Sequence, residues 1–483
     1  MLRPSGAVEA KAPTQERVPY KWVALMIVAI STLNGTLDAH VLNIALPTIA
    51  KNLHTDPSTV LWVSVIYLLV SSGLMLTFGQ IGDLVGRKRI FAIGFIVFTI
   101  GIGLNGLAQN VYQLIGFRAI QGIGQSMILA NGNALVTAAF PSTERGKALG
   151  ILSAVAGAGQ GLGPVLGGLL VDAFDWRSIF YFRLPIGIIG TLAVMKMLRE
   201  SERRKGTIHF DFLGAGTLFL GIAGLLFALT QGVKIGFVSS LVIVTGLTAL
   251  VSLAIFLWQE RRTAQPVVDL KLFSNRTFAS ATSSAVINFV ALATYNFLTP
   301  FYLTLGLGLS ASKAGLVMIS IPVTRMIVTP ISGWLSDKIG SRVLSTIGMV
   351  ILTAGFLTFS RLSTEGNLAL IVAVLVLVGF GEGMFDSPNN SAIMGSVPRE
   401  NLGTASATTH TVRQLGLSTG VATAGAIFTA RQAHHASILP GVSGQANLQS
   451  MAVMGAFQDA ILVASIYTAS GILTAFVREK RHQ

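Results

Sequence analysis

The 483-residue chain contains no cysteine, which excludes disulfides, thiol nucleophiles and thiolate metal sites together. Charge is also scarce. Asp, Glu, Lys and Arg make up 11% of the residues, against about 25% in an ordinary soluble domain, too little to cover a soluble surface. Acids are scarcer than bases, 20 against 34, for a net charge of +14. Motifs of enzyme chemistry are missing as well. Gly146-Lys147-Ala148 has neither the spacing nor the hydroxyl of a phosphate-cradling loop. Gly122-Ile123-Gly124 lies in an apolar run rather than at a strand-to-helix turn, so a dinucleotide reading fails. No H-E-x-x-H or G-x-S-x-G arrangement offers hydrolysis. The chain is therefore not expected to be an enzyme or to carry a cofactor or metal, and an ion gradient is left as its energy source.

What is present is apolar. Hydrophobic residues make up 52% and glycine contributes 52 residues; mean hydropathy is +0.69. Runs long enough to cross a bilayer, about 20 residues each, fall at 22–46, 60–80, 90–108, 112–136, 148–171, 178–197, 212–231, 237–258, 279–304, 314–333, 344–361, 367–388, 404–430 and 452–476. These fourteen stretches are too continuous for the alternation of a membrane barrel and read as helices, because lipid offers the backbone no other partner. The polar first 21 residues and the lack of a cleavage-site pattern predict no removable signal peptide.

The basic residues give the sidedness. Only Lys51, Arg177, Lys234, Lys313, Arg361 and Arg431 fall on one side, and Arg118, Arg183, Arg325 and Arg413 fall within spans. All other Lys and Arg lie in the remaining connections and tails, which places both ends of the chain in the cytoplasm and makes the span count even. The charge needs no nucleic acid to explain it.

One loop occurs twice. Gly79-Gln80-Ile81-Gly82-Asp83-Leu84-Val85-Gly86-Arg87-Lys88-Arg89 follows span 2, and Gly333-Trp334-Leu335-Ser336-Asp337-Lys338-Ile339-Gly340-Ser341-Arg342 follows span 10. Gly79, Asp83 and Gly86 keep register with Gly333, Asp337 and Gly340, at a separation that suits six helices plus an inserted pair. Two six-helix halves built on a repeat are a transporter plan. The expected domains are a six-helix bundle at 1–205, two inserted helices (spans 7 and 8) with a linker at 206–262, and a second six-helix bundle at 263–483.

The Gly79–Arg89 loop resembles the signature cytoplasmic loop of the major facilitator superfamily. Further stretches resemble its 14-span drug:proton antiporter branch, typified by quaternary-ammonium and multidrug efflux pumps. They are Leu37-Asp38-Ala39-His40-Val41-Leu42-Asn43-Ile44-Ala45-Leu46-Pro47, Arg118-Ala119-Ile120-Gln121-Gly122, and Gly157 to Gly168 in span 5, which is similar to the family's antiporter motif. Pro266 to Phe273 and Ser387-Pro388-Asn389-Asn390 also look typical. The resemblance runs along nearly the whole chain. It implies an all-α major facilitator fold of 14 transmembrane helices (6+2+6), and the absence of a signal peptide with an even span number suits a bacterial inner membrane. It also implies a monomer that exchanges protons for small amphipathic or hydrophobic drug-like compounds by alternating access.

Asp38 sits near the middle of span 1, where an ionised carboxylate is costly unless paired or facing water. It either exchanges a proton or is a structural carboxylate locked to a neighbouring helix; the resemblance associates it with proton coupling and makes Arg118 its partner. Glu382 and Asp386 are four apart and share a face of span 12. They either line the cavity, with Glu382 sharing in proton coupling, or Pro388 ends the helix and leaves Asp386 in headgroup water. The family pattern does not lead one to expect an acid at Glu382. His410 and Arg413 are neighbours on span 13. Members that export dications often have acids in spans 10 or 13, where this chain has Arg325 and Arg413, and Arg183 stands where an Asn is usual. These departures leave room for monocations, zwitterions, amphiphilic anions or lipid-like substrates, or else the arginines are compensated internally.

Gly159, Gly163 and Gly167 bring small residues to one helix face, allowing close approach, and Pro164 permits a bend. The resemblance adds that this seam seals the cavity during exchange. Asp83, by resemblance, docks at a helix start near Gly403–Ser406, and Asp337, without an equivalent of Arg87, does so less well. Gly86, Arg87 and Arg89 complete that conformational loop. The expected substrate cavity holds Tyr67, Gln121, Tyr295, Arg325, Glu382, Asp386, His410 and Arg413. Trp62 is expected in the interfacial belt, and His434 and His435 lack a third metal ligand. Two other readings stand beside drug export: a lipid flippase or exporter of an endogenous amphiphilic metabolite, and a sensor or scaffold that has lost transport.

Overall fold

The computed structural model describes residues 19–141, 144–200, 212–263, 270–362, 367–398, 402–438 and 445–477, and among them every regular element is helical. In chain order these are α1 (Tyr20–Asn52), α2 (Pro57–Gly73), α3 (Met75–Val85), α4 (Arg87–Gly106), α5 (Val111–Ala139), α6 (Arg145–Ala173), α7 (Ser178–Tyr181) and α8 (Leu184–Met197). There follow α9 (Phe212–Ile235), α10 (Ser240–Glu260), α11 (Arg276–Phe301), α12 (Ala311–Met318), α13 (Ser320–Ile339), α14 (Ser341–Phe359), α15 (Leu368–Gly395), α16 (Leu402–Ile438) and α17 (Gln445–Phe476).

Local sequence explains many of the ends. Asp56 accepts from the Thr59 amide at 2.9 Å just before Pro57, starting α2. Asn275 and Asn367 cap α11 and α15 in the same way. Gly86 (φ 122°) ends α3 and Gly340 (φ 90°) ends α13, so the two copies of the repeated loop turn at the same residue, where a side chain would strain the backbone. Pro388 does not end its helix: α15 runs through it to Gly395.

Each expected span coincides with a helix or a broken pair of helices. By length and apolarity, ten segments among the described residues are able to cross a membrane, or eleven if α2 and α3, bent by 46°, count as one. The 29-residue α5 and the 37-residue α16 fall below that apolarity because they carry polar residues inward.

The helices form two groups. In the first, α1 packs on α6 and α5 on α2 and α4; in the second, α11 packs on α16 and α17, and α15 on α13 and α14. The groups meet through α6 with α12, α2 with α16 and α1 with α11, while α9 and α10 pair with each other and α9 rests on α2 and α16. The apolar window of α11 is 83% buried and that of α10 is 22% buried, so α11 is central and α10 peripheral. Trp62 meets Phe227 of α9, ring centroids 6.0 Å apart. The expected boundary at 205/206 lies outside the described residues.

Candidate functional site

The first group buries a charged cluster. Asp38, at mid-α1, is fully buried. Arg118 Nη1 donates to one of its carboxylate oxygens at 2.7 Å, Gln121 Nε2 donates to the other at 3.1 Å, and Arg183 forms a second ion pair with it. Arg118 also donates to the Val63 carbonyl at 3.1 Å and to Gln121 Oε1 at 2.7 Å, with its guanidinium 4.1 Å from the centre of the Tyr67 ring. Asn105 completes the net through Gln121 at 2.6 Å. Arg183 stands in the break between α7 and α8, one residue before the Leu184-Pro185 start of α8, and gives its Nε to the Ile179 carbonyl at 3.0 Å. One carboxylate therefore holds two buried guanidiniums, helped by backbone carbonyls and a ring face.

This placement corrects two expectations. Tyr67 and Gln121 are 4% and 0% exposed and do not line the cavity described next; the two guanidiniums around Asp38 draw them into the core instead. Arg183, left open by the sequence, faces Asp38.

A cavity of about 760 Å³ lies between the groups. From the first group only the α6 stretch around Ser153, Gly157 and Gln160 lines it; α11, α13, α15 and α16 supply the rest, including Arg325, Asp386 and Arg413. Arg325 Nη2 pairs with Asp386 at 2.6 Å, and its Nη1 lies 3.6 Å from Glu382. Glu382 is nearly fully buried, whereas a third of the Asp386 side chain is exposed. The shared face of α15 thus meets one arginine from α13. A smaller chamber of about 90 Å³ shares Gln160, Pro322, Arg325 and Arg413 with the large one and adds His40, Tyr295 and Glu382. Sequence reasoning passed over His40, although it lies two residues from Asp38. The side chain of His410 lies outside the described residues. Among those residues no hydrogen bond or ion pair joins the Asp38 cluster to the Arg325 cluster, so Glu382 does not stand with Asp38 and Arg118.

Around and beyond Gln160, α6 is packed tightly against its neighbours. A Cβ on Gly159, Gly163 or Gly167 would meet Thr36, His40 or Ile44 of α1 at 2.1, 2.5 and 2.6 Å. The glycine stripe thus joins α6 to α1 within one group. The contact of α6 with α12 is made at Gly168, whose Cβ would lie 2.2 Å from the Ala311 carbonyl oxygen, and at Gly315, whose Cβ would lie 2.1 Å from that of Pro164. Asp172 accepts from the Ala311 and Ser312 amides at 3.1 and 2.8 Å, a carboxylate on the first turn of α12. Asp172→Asn keeps an acceptor but removes the charge, which weakens this latch by about 1 kcal/mol. The population with α6 and α12 parted should rise roughly fivefold, read as a longer distance between spin labels on the two helices. An unchanged distribution would show that the carboxylate does no latching.

In the repeated loop, Asp83 pairs with Arg87 at 2.7 Å; the side chains at 403 and 406, its expected dock, lie outside the described residues. Gly82 lies tight against Asn131, and Gly79 approaches Ala130. Glu200 accepts from the Lys88 amide at 3.1 Å and lies 3.9 Å from Arg89, beside Gly86. Asp337 is exposed and has no partner among the described residues.

The family model described as Major Facilitator Superfamily matches residues 25–421. The chain belongs to this superfamily. It is a multi-pass membrane transporter, not an enzyme. It is 34% identical over 460 residues to the Riboflavin transporter RibZ of Clostridioides difficile (strain 630), covering 95% of this chain and 98% of that protein. The Multidrug resistance protein Stp of Mycobacterium tuberculosis (strain CDC 1551 / Oshkosh) is 34% identical over 82% of this chain and 73% of its own length. The Multidrug efflux pump LfrA of Mycolicibacterium smegmatis is 30% identical over 86% and 83%. Among solved structures, a bacterial homologue of the human lysosomal transporter Spinster, inward-facing and unoccupied, superimposes with a TM-score of 0.72 at 15% identity, over 96% of this chain and 100% of that one. That likeness concerns the fold.

Proposed function

We propose that this major facilitator is a proton-coupled antiporter that exports amphipathic or hydrophobic drug-like compounds across a bacterial plasma membrane, as a monomer. Its scaffold has fourteen spans arranged 6+2+6, with 1–205 and 263–483 as the two halves, 206–262 as the inserted pair and both ends of the chain cytoplasmic. On that orientation the cavity opens inward and the seam of α6 on α12 closes the outside. The observation that carries the reading is the cavity between the groups, walled by apolar residues but holding the Arg325, Glu382 and Asp386 cluster. Relatives named for multidrug resistance and efflux support the substrate class.

Glu382 is the favoured proton carrier. It is buried yet borders the small chamber, and Arg325 has a nearer partner in Asp386, so a proton on Glu382 still leaves Arg325 an anion. A proton on Asp38 would leave two. Asp38 and Arg118 then serve coupling by holding α1, α5 and the α7–α8 break together. The test is ethidium flux in proteoliposomes under an imposed proton gradient. Wild type should move ethidium against its gradient. Glu382→Gln should lose about tenfold or more of that net flux while keeping ethidium–ethidium exchange, which needs no proton. Net flux that survives collapse of the proton gradient would end the antiport reading.

A second reading is favoured by one observation: the relative named a riboflavin transporter aligns over nearly the full length of both chains. Amides of Gln160, Asn296 and Asn390 on the chamber walls suit a neutral heteroaromatic metabolite. Riboflavin flux without ethidium flux would select it, and flux of neither would return the lipid and sensor readings.

A further inference from the structure

Resting on the reading of this cavity as the substrate path, we infer that Arg413, beside the ring of Phe289, is an anion-recognition site, so that the transporter takes amphipathic substrates bearing a carboxylate, sulfonate or phosphate. Among the described residues, four charged side chains border the two chambers: Arg325, Arg413, Glu382 and Asp386. Both acids are engaged by Arg325, at 2.6 and 3.6 Å. Arg413 borders both chambers and has neither an ion pair nor a hydrogen bond among the described residues. Phe289 lies against it, 5.2 Å from guanidinium carbon to ring centre, and Glu382 and Asp386 act on it only at longer range, without an ion pair.

A guanidinium on a largely apolar wall loses hydration that a ring face replaces only in part. Its planar fork of donors matches an oxyanion in two parallel hydrogen bonds. The ligand is then the missing partner. Phe289, Phe385, Met326, Pro322 and Pro330 give the cavity its apolar walls, and about 760 Å³ holds a drug-sized body. The substrate so described has an apolar or aromatic body lying along Phe289 and Phe385, with its anionic group at Arg413. A cation would instead compete with Arg325 for Asp386, the acid that holds it at 2.6 Å.

The test is equilibrium binding to detergent-purified protein, which needs no proton gradient, using carboxyfluorescein as the anionic probe and ethidium as the cationic one. Wild type should bind carboxyfluorescein. Arg413→Gln should lower the ratio of carboxyfluorescein to ethidium affinity at least tenfold, with Arg413→Lys restoring part of the ratio. Equal loss of both affinities would mean that Arg413 only holds the fold, and wild type that binds ethidium but not carboxyfluorescein would also overturn the inference. Selective loss of the anion in a protein that shows no proton-driven flux would sustain the anion site while removing the antiport reading. Proton-driven ethidium flux without any anion binding would do the opposite.

Discussion

Asp38→Asn should cost the protein about 3–5 kcal/mol of stability, because removing one partner of a buried ion pair strands the other. Here it strands two guanidiniums, Arg118 and Arg183, both 1% exposed. The expected result is a steep fall in melting temperature in detergent, with transport lost alongside. Loss of transport alone therefore does not identify Asp38 as the proton carrier. The informative partner is Asp38→Asn with Arg183→Gln. Wild type buries two guanidiniums and one carboxylate, and the double variant buries one guanidinium and no carboxylate, so the net charge of the cluster is unchanged. The Gln side chain also retains a donor for the Ile179 carbonyl. More than half of the lost stability should return. Asp38→Asn melting with wild type would refute the claim that this carboxylate anchors the two arginines. Gradient-driven transport by the double variant would assign Asp38 a static role and leave proton exchange to Glu382.

That distinction was out of reach of the sequence. Asp38 and Arg118 were legible as a pair through the motifs around them. Arg183 was not, since its approach depends on the chain breaking between α7 and α8 and folding back. Likewise the four-residue spacing of Glu382 and Asp386 was enough to place both on one face of α15, but their common partner comes from α13, and no spacing rule links the two helices. Tyr67 and Gln121 failed for a different reason. In a membrane span both the lipid-facing and the inward faces are apolar, so depth in the span does not say whether a polar residue meets the cavity or a neighbouring helix. Of the two readings left open at Pro388, a stop is what prolines make in water, whereas in a bundle neighbouring groups serve the backbone that a proline disturbs. The repeated loop was the most reliable guide, since Gly86 and Gly340 both adopt positive φ, a demand of the turn itself that does not depend on packing.

Gly168→Val should have a larger effect on transport than any change in the glycine stripe that drew attention in the sequence. Gly159, Gly163 and Gly167 pack against α1 inside one group, where a small shift of either helix can absorb a methyl. Gly168 instead faces the start of α12, and its nearest neighbours are the Ala311 carbonyl oxygen and carbon at 2.2 and 2.7 Å and the Ser312 Cα at 2.8 Å. Backbone cannot rotate aside as a side chain does, so the seam of α6 on α12 must part. Overpacking of this kind costs about 1–3 kcal/mol, enough to move a two-state equilibrium about five- to 150-fold. Because the chain has no cysteine of its own, Ala314→Cys supplies a clean reporter at a fully buried position of α12. In the Gly168→Val background this thiol should react rapidly with a membrane-impermeant maleimide added on the seam side, while net transport falls with loss of the sealed state. Gly150→Ala, on the same helix with nothing within 4 Å of its Cβ, should leave the thiol protected and transport intact. A protected thiol and normal transport in Gly168→Val would mean that the seam tolerates separation and that closure of the outer end is built elsewhere.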